Sequence, residues 1–156
     1  MADAASVTIS ATVLPDEISK ILAGTMTVTP ADSGDKWYYK LSRVGTGSSL
    51  LMNGSFIGRA GNSTTVIDDS AAMEATDAAD KIKFLFVKNT DSTNPIYICI
   101  SASTTAASAS NAGNLYLPAG QSVAVQTPNT TLNNVAAIST GGNVDCIVAA
   151  LIDDVA

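Results

Sequence analysis

The sequence predicts an all-β chain: a single-domain β-sandwich, jelly-roll-like, with one short helix at most. Three observations predict it. Apolar and polar residues alternate with period two in one segment after another, turn residues punctuate those segments, and a helical start signal occurs in one stretch only. Roughly eight to ten short strands spaced by turns fit a sandwich or a jelly roll.

Taken in order, Val7, Ile9, Ala11 and Val13 fall on one face and Thr8, Ser10 and Thr12 on the other, which makes a half-buried strand. The segment Pro15–Leu22 has Asp16 and Glu17 early and Lys20 late, an order that suits one or two helical turns and equally an irregular crossover. Met26 and Val28 then alternate with Thr25, Thr27 and Thr29 until Pro30 ends the run. In the next strand Trp37, Tyr39 and Leu41 share one face, and Tyr38, Lys40 and Ser42 the other. The Trp37 face is expected to point inward, because its opposite carries a charge. Gly45 to Thr65 is loop-like, with a short strand around Phe56 and Ile57. Ser70 can cap a helix through Ala71, Ala72, Met73 and Ala75.

The second half reads as hairpins. Ile82 to Lys88 is apolar on both faces toward its centre, as a strand covered on both sides must be. Asn89 to Pro95 is turn chemistry, and Ile96 to Ile100 returns as a strand. Leu115–Leu117, Pro-Ala-Gly and Ser122–Val125 read as strand, tight turn, strand, with Gly120 free to take positive φ. Val135–Ser139 and Val144–Ile152 flank Thr-Gly-Gly-Asn as a last hairpin. One domain is expected over residues 1–156, with an N-terminal arm at 1–6 and loop-rich insertions at 45–80 and 101–112.

Composition excludes several functions. Eight Lys and Arg face fourteen Asp and Glu, for a net charge of -6. Nucleic-acid binding needs the opposite balance, because affinity comes from releasing counterions from phosphate. The absence of histidine removes Ser-His-Asp and Cys-His nucleophile systems and His-rich zinc sites. Met1 to Ser10 has neither a positive region nor an apolar stretch, so no secretory signal is expected. Cys146 to Ile152 is the longest purely apolar run and far short of the roughly 20 residues a bilayer demands. Synthesis in the cytoplasm and no membrane partner are therefore expected. Cys99 and Cys146 lie in apolar strands and read as buried free thiols.

No constellation carries a clear chemistry, so catalytic, cofactor-binding and metal residues are all expected to be none. Asp68, Asp69, Glu74, Asp77 and Asp80 are the nearest approach to an acidic site. They lack the tight D-x-D-x-D-G spacing of a Ca²⁺ loop and read as a solvated helix face. Asp153 and Asp154 read as a solubilising end. Glu17 and Glu74 are the only glutamates, and nothing pairs them across a cleft as glycosidase chemistry wants. Gly45-Thr-Gly47-Ser-Ser lacks the third glycine and following helix of a dinucleotide loop. Trp37, Tyr38 and Tyr39 form the one aromatic cluster in the sequence, and alternation assigns Trp37 and Tyr39 to the core, along with Phe84 and Phe86.

Three stretches together carry a resemblance: VLPDEISKILAGTMTVTPADSGDKWYYKL, KIKFLFVKNTDSTNPIYICI, and LYLPAGQSVAVQTPN with VAAISTGGNVDCIVAALIDDV. They resemble small virion structural proteins of tailed bacteriophages, especially marine phages infecting cyanobacteria. DKWYYKL and CIVAALIDD are the more specific pieces. The resemblance implies a capsid decoration (cement) protein, without enzymatic activity or cofactor, on the outer capsid surface of the virion. It implies the major capsid protein as partner and a homotrimer as the assembly. A head-fibre, neck or tail position, with receptor or carbohydrate binding, is the alternative. Low charge, at 14% of residues against about 25% in ordinary domains, agrees with sheet faces buried in assembly.

Overall fold

Alternating apolar and hydroxyl side chains lay the chain out as strands wherever the computed structural model describes it, at residues 4–13, 20–31, 35–51, 80–100, 114–131 and 134–153. Two compact units result, Met1–Ser33 and Gly34–Ala156. The first is a two-stranded antiparallel ribbon of β1 (Ala5–Val13) and β2 (Lys20–Val28), paired without a register shift from Ala5↔Val28 to Val13↔Lys20. Lys20 to Leu22, assigned to helical turns or a crossover by the charge order, are thus the start of a strand. β1 likewise begins at Ala5, inside the segment expected to be an arm.

The second unit contains β3 (Asp35–Val44), β4 (Ser49–Leu50), β5 (Lys81–Asn89), β6 (Ile96–Ile100), β7 (Leu115–Leu117), β8 (Ser122–Thr131), β9 (Val135–Ser139) and β10 (Val144–Asp153). One sheet runs β3-β10-β5-β8 and the other β4-β9-β6-β7. This is the jelly-roll order. β6 and β7 are the innermost pair of one long antiparallel hairpin, with β5/β8, β4/β9 and β3/β10 as its successive outer pairs. The hairpin folds over so that successive pairs fall in alternate sheets. β10 then joins β5, and β6 joins β9, to complete each sheet.

A single core fills the space between the sheets. Val44, Ile82, Leu85, Val87, Val144, Cys146, Val148, Ala150 and Ile152 face Ile96, Ile98, Leu117, Val135 and Ala137 across it. Fully burying a side chain such as Ile98 or Val148 contributes about 1.5–3 kcal/mol, so this layer supplies the driving force for the fold. β10 is buried on its inner face at every position and half-buried or buried on its outer one. β5 behaves alike toward its centre, as its double-faced apolar pattern requires.

Two expectations are corrected by the register. Segments read as hairpins, β5 with β6 and β9 with β10, do not pair; each connection arches from one sheet to the other. So does Pro118–Gln121, where Gly120 adopts φ 72° and the Gln121 N–H donates to the Pro118 carbonyl. The inward face of β3 is that of Ser42 and Val44, not that of Trp37. Trp37, Tyr39 and Leu41 stand opposite Leu151, Ala149 and Ile147 on the outer face, although Tyr39 also packs against the core cluster. Phe84 and Phe86 share that outer face; Phe84 is buried there and meets Trp37 edge-on at 6.0 Å. The charge that suggested the opposite orientation belongs to Lys40, at the middle of the strand. The proposed helix from Ser70, the strand around Phe56 and Ile57, and the 101–112 insertion lie outside the described residues.

Candidate functional site

The sandwich gathers three groups of side chains that are remote in sequence. The first depends on a β-bulge in β5. Leu151 pairs with Phe84 and Ile152 with Ile82, so Lys83 is the extra residue. A bulge re-aims the side chain it carries, and here Lys83 Nζ reaches Asp35 Oδ1 at 2.6 Å and Asp153 Oδ2 at 3.4 Å. The Asp35 side chain is wholly buried. One ammonium therefore joins the start of β3, the bulge of β5 and the end of β10. The hydrogen bond that Lys83 donates to Asp35 raises the Lys83 pKa above 10.5 against the opposing effect of burial.

The second group closes the other end of the β3/β10 ladder. Arg43 Nε and Nη2 donate to the two carboxylate oxygens of Asp145 at 2.8 and 3.2 Å. This fork geometry raises the Arg43 pKa and lowers that of Asp145. Both side chains are about half exposed, so solvent screening leaves the pair little net weight in stability. Beside it the Thr90 hydroxyl donates to the Asp145 carbonyl. Buried Asn89 donates to the Asn94 and Leu117 carbonyls and accepts from the Asp91 N–H. Asp91 accepts the N–H groups of Thr93 and Asn94, both at 2.7 Å, which hold its carboxyl below the usual 3.8. These bonds shape the β5–β6 arch. The β9–β10 arch meets it, for a Cβ on Gly141 would lie 1.9 Å from Asn94 Oδ1.

The third group is on the outer face of the β4-β9-β6-β7 sheet. Tyr97 pairs with Tyr116 on one side and Ile138 on the other. The two rings are tilted at 43° with centroids 5.2 Å apart, and Tyr116 is 58% exposed. Cys99, Ala136 and Ile138 continue this apolar face. Sequence reading missed the pair because the two tyrosines are brought together only by β6/β7 pairing. Alternation within each strand was the available signal, since Tyr97 and Tyr116 each sit opposite to inward-facing neighbours.

The residues weighed in the sequence are not assembled into a reactive centre by the described part of the chain. Asp80 is buried, while Asp68, Asp69, Glu74 and Asp77 lie outside the described residues, as do Glu17 and Asp154. Asp153 is engaged by Lys83 rather than extended into solvent. Gly45 follows the last residue of β3, and its carbonyl accepts the Ser139 N–H at 2.8 Å, a structural role. Among the described residues no three His, Cys, Asp or Glu side chains are grouped to hold a metal. Cys99 and Cys146 are free and buried, on the outer face of one sheet and in the inter-sheet core respectively. Burial pushes the Cys146 thiol up to about 12, the opposite of what a nucleophile needs. Among the described residues, no helix is long and apolar enough to cross a membrane.

No protein-family model, curated protein or solved structure matches the chain.

Two predictions follow from these charges. Replacing Lys83 by Met leaves a cation missing beside a buried carboxylate and costs about 3–5 kcal/mol. The double variant Lys83→Met/Asp35→Asn recovers a large share of it, as urea unfolding of the two will show. The pH profile of stability has a plateau. Asp91 and Asp145 have lowered pKa values, so their contribution is complete above 3.8 and is lost as pH falls through their lower folded values. Cys146 is raised, so folding is favoured below 9.0 and penalised above it, where the unfolded thiol ionises first. With no histidine to titrate between, the thermal midpoint should stay level from about pH 5 to about pH 8.

Proposed function

We propose that the chain is a non-enzymatic virion structural protein, a capsid decoration (cement) subunit that binds across neighbouring major capsid proteins on the outer shell. The observation that carries this reading is the jelly-roll order of the second unit, an architecture that viral capsid domains use, as do lectins and cupins. Chemistry of the side chains supports the non-enzymatic part. Described carboxylates at Asp35, Asp91, Asp145 and Asp153 hold strands and turns in place, and Cys146 is suppressed as a nucleophile. Shape and apolar burial, rather than charge, must dominate contacts made by a subunit of net charge -6 with its own kind. A homotrimer over junctions between shell subunits satisfies this with closed symmetry.

Antibody raised against the purified chain should decorate the outside of intact particles in negative-stain images, and particles lacking the chain should lose shell stability on heating. Antibody that finds the chain only in the particle-free fraction of a lysate overturns the proposal.

A second reading has one observation in its favour. The exposed Tyr116 ring beside Tyr97 offers a sugar ring an apolar surface of the kind that a receptor- or carbohydrate-binding module on a fibre, neck or tail would use. On a glycan array this reading expects binding that Tyr116→Ala reduces at least about tenfold with the fold intact. Absence of binding by the unaltered chain removes it.

A further inference from the structure

The β1/β2 ribbon buries too little to account for itself. An isolated two-stranded ribbon is marginal in water at best, and stability comes with further strands or a covered apolar face. Pairing puts Val7, Ile9, Ala11, Leu22, Met26 and Val28 on one face, where Val28 alone of the six is buried, with Ser6, Thr8, Ser10, Thr25 and Thr27 on the other. Ile9 and Leu22, diagonal neighbours at the middle of the apolar face, are each 54% exposed. Charge is the second observation. Residues 4–11 and 22–31 contain no charged side chain, Lys20 at the end of β2 being the one charge within the two strands, and neither strand has a bulge along the nine paired positions, so the usual devices that keep sheet edges apart are confined to that end of the ribbon.

We infer that this ribbon is the self-association element of the protein, its apolar face covered by the same face of other copies of this chain. The inference deepens the decoration-subunit reading by naming the surface through which its copies meet. Charge selects the occupant. A basic partner would gain nothing from a face without acidic groups, whereas copies of net charge -6 can approach closely only where charge is absent. The matching surface must itself be uncharged, extended and apolar on one side, and a second ribbon has those properties. Size selects the geometry. Nine residues at about 3.3 Å each and two strands about 4.8 Å apart make a face of roughly 300 Å². That is well below the ~800 Å² per partner of a standard interface. A closed ring, in which each ribbon meets two others, suits such a face better than a dimer.

Sedimentation equilibrium of the full chain tests this in the absence of any shell. The chain should have a mass of two or more times 15.8 kDa. Ile9→Asp/Leu22→Asp should weaken association about a hundredfold or more by burying charge, while Thr8→Asp on the hydroxyl face should change it less than about threefold. Because those aspartates could disturb the ribbon itself, Leu22→Cys supplies a positive control: mild oxidation should cross-link copies through it, and through Thr8→Cys should not. A chain that is monomeric at about 100 μM, an unchanged mass in the double aspartate variant, or equal cross-linking from both faces overturns the inference. A monomeric chain that still decorates particles overturns this inference alone. A chain that associates through its ribbon but never labels particles overturns the decoration reading alone.

Discussion

Burial of β10 on both sides is the constraint on which the rest of the sandwich depends. Its inner residues, Val144, Cys146, Val148, Ala150 and Ile152, are inaccessible to water, and its outer Leu151 is nearly so. A strand this poor in polar side chains cannot be an edge, because an exposed apolar edge invites pairing with other chains. It therefore takes a neighbour on each side, β3 and β5. Once β10 is central, the remaining order is largely forced. β8 covers the far edge of β5, and the opposite sheet must present Ile96, Ile98, Val135 and Ala137 to the inner face.

Polar interactions act on this apolar frame as fixings at its ends. The Arg43–Asp145 fork and the Lys83 contacts with Asp35 and Asp153 lie at opposite ends of the β3/β10 ladder. Neither supplies much net energy: one is exposed, and the other must offset the cost of taking a carboxylate out of water. Their effect is on register. A slip by one residue would reverse the faces of β10 and would part both sets of ions. The bulge at Lys83 belongs to the same account: it keeps Phe84 on the outer face opposite Leu151 while Lys83 reaches both carboxylates.

Fold class was legible in the sequence because period-two alternation is a local property, visible within each of β1, β5, β6 and β10. Pairing was not, because it is nonlocal. Asn89–Pro95 and Thr140–Asn143 are equally good turn chemistry whether the chain reverses within a sheet or arches to the other one. What distinguishes the two is where β10 and β6 find partners, β3 and β9, far along the chain. Inward direction was misread in β3 for a related reason. Lys40 marked its face as outward, yet Ser42 on that face is buried, its hydroxyl donating to the Leu51 carbonyl at 2.8 Å. A polar group can sit inside when its hydrogen bond is made there. The tyrosine pair was illegible for want of the β6/β7 register.

Low charge thereby acquires a structural meaning in each unit separately. In the second unit the described acidic groups are placed at strand ends and turns, and both sheets keep apolar residues on their outer faces, from Trp37, Phe84 and Leu151 on one to Tyr97, Cys99 and Ile138 on the other. In the first unit hydroxyls, not charges, make the polar face of the ribbon. Hydroxyls keep a strand soluble while leaving the approach of another strand electrostatically free, which Lys or Glu at the same positions would oppose. A sequence under pressure to remain monomeric would have charged those positions at little cost to its own core. Under the self-association proposed above, leaving them uncharged is what lets the ribbons of two copies meet.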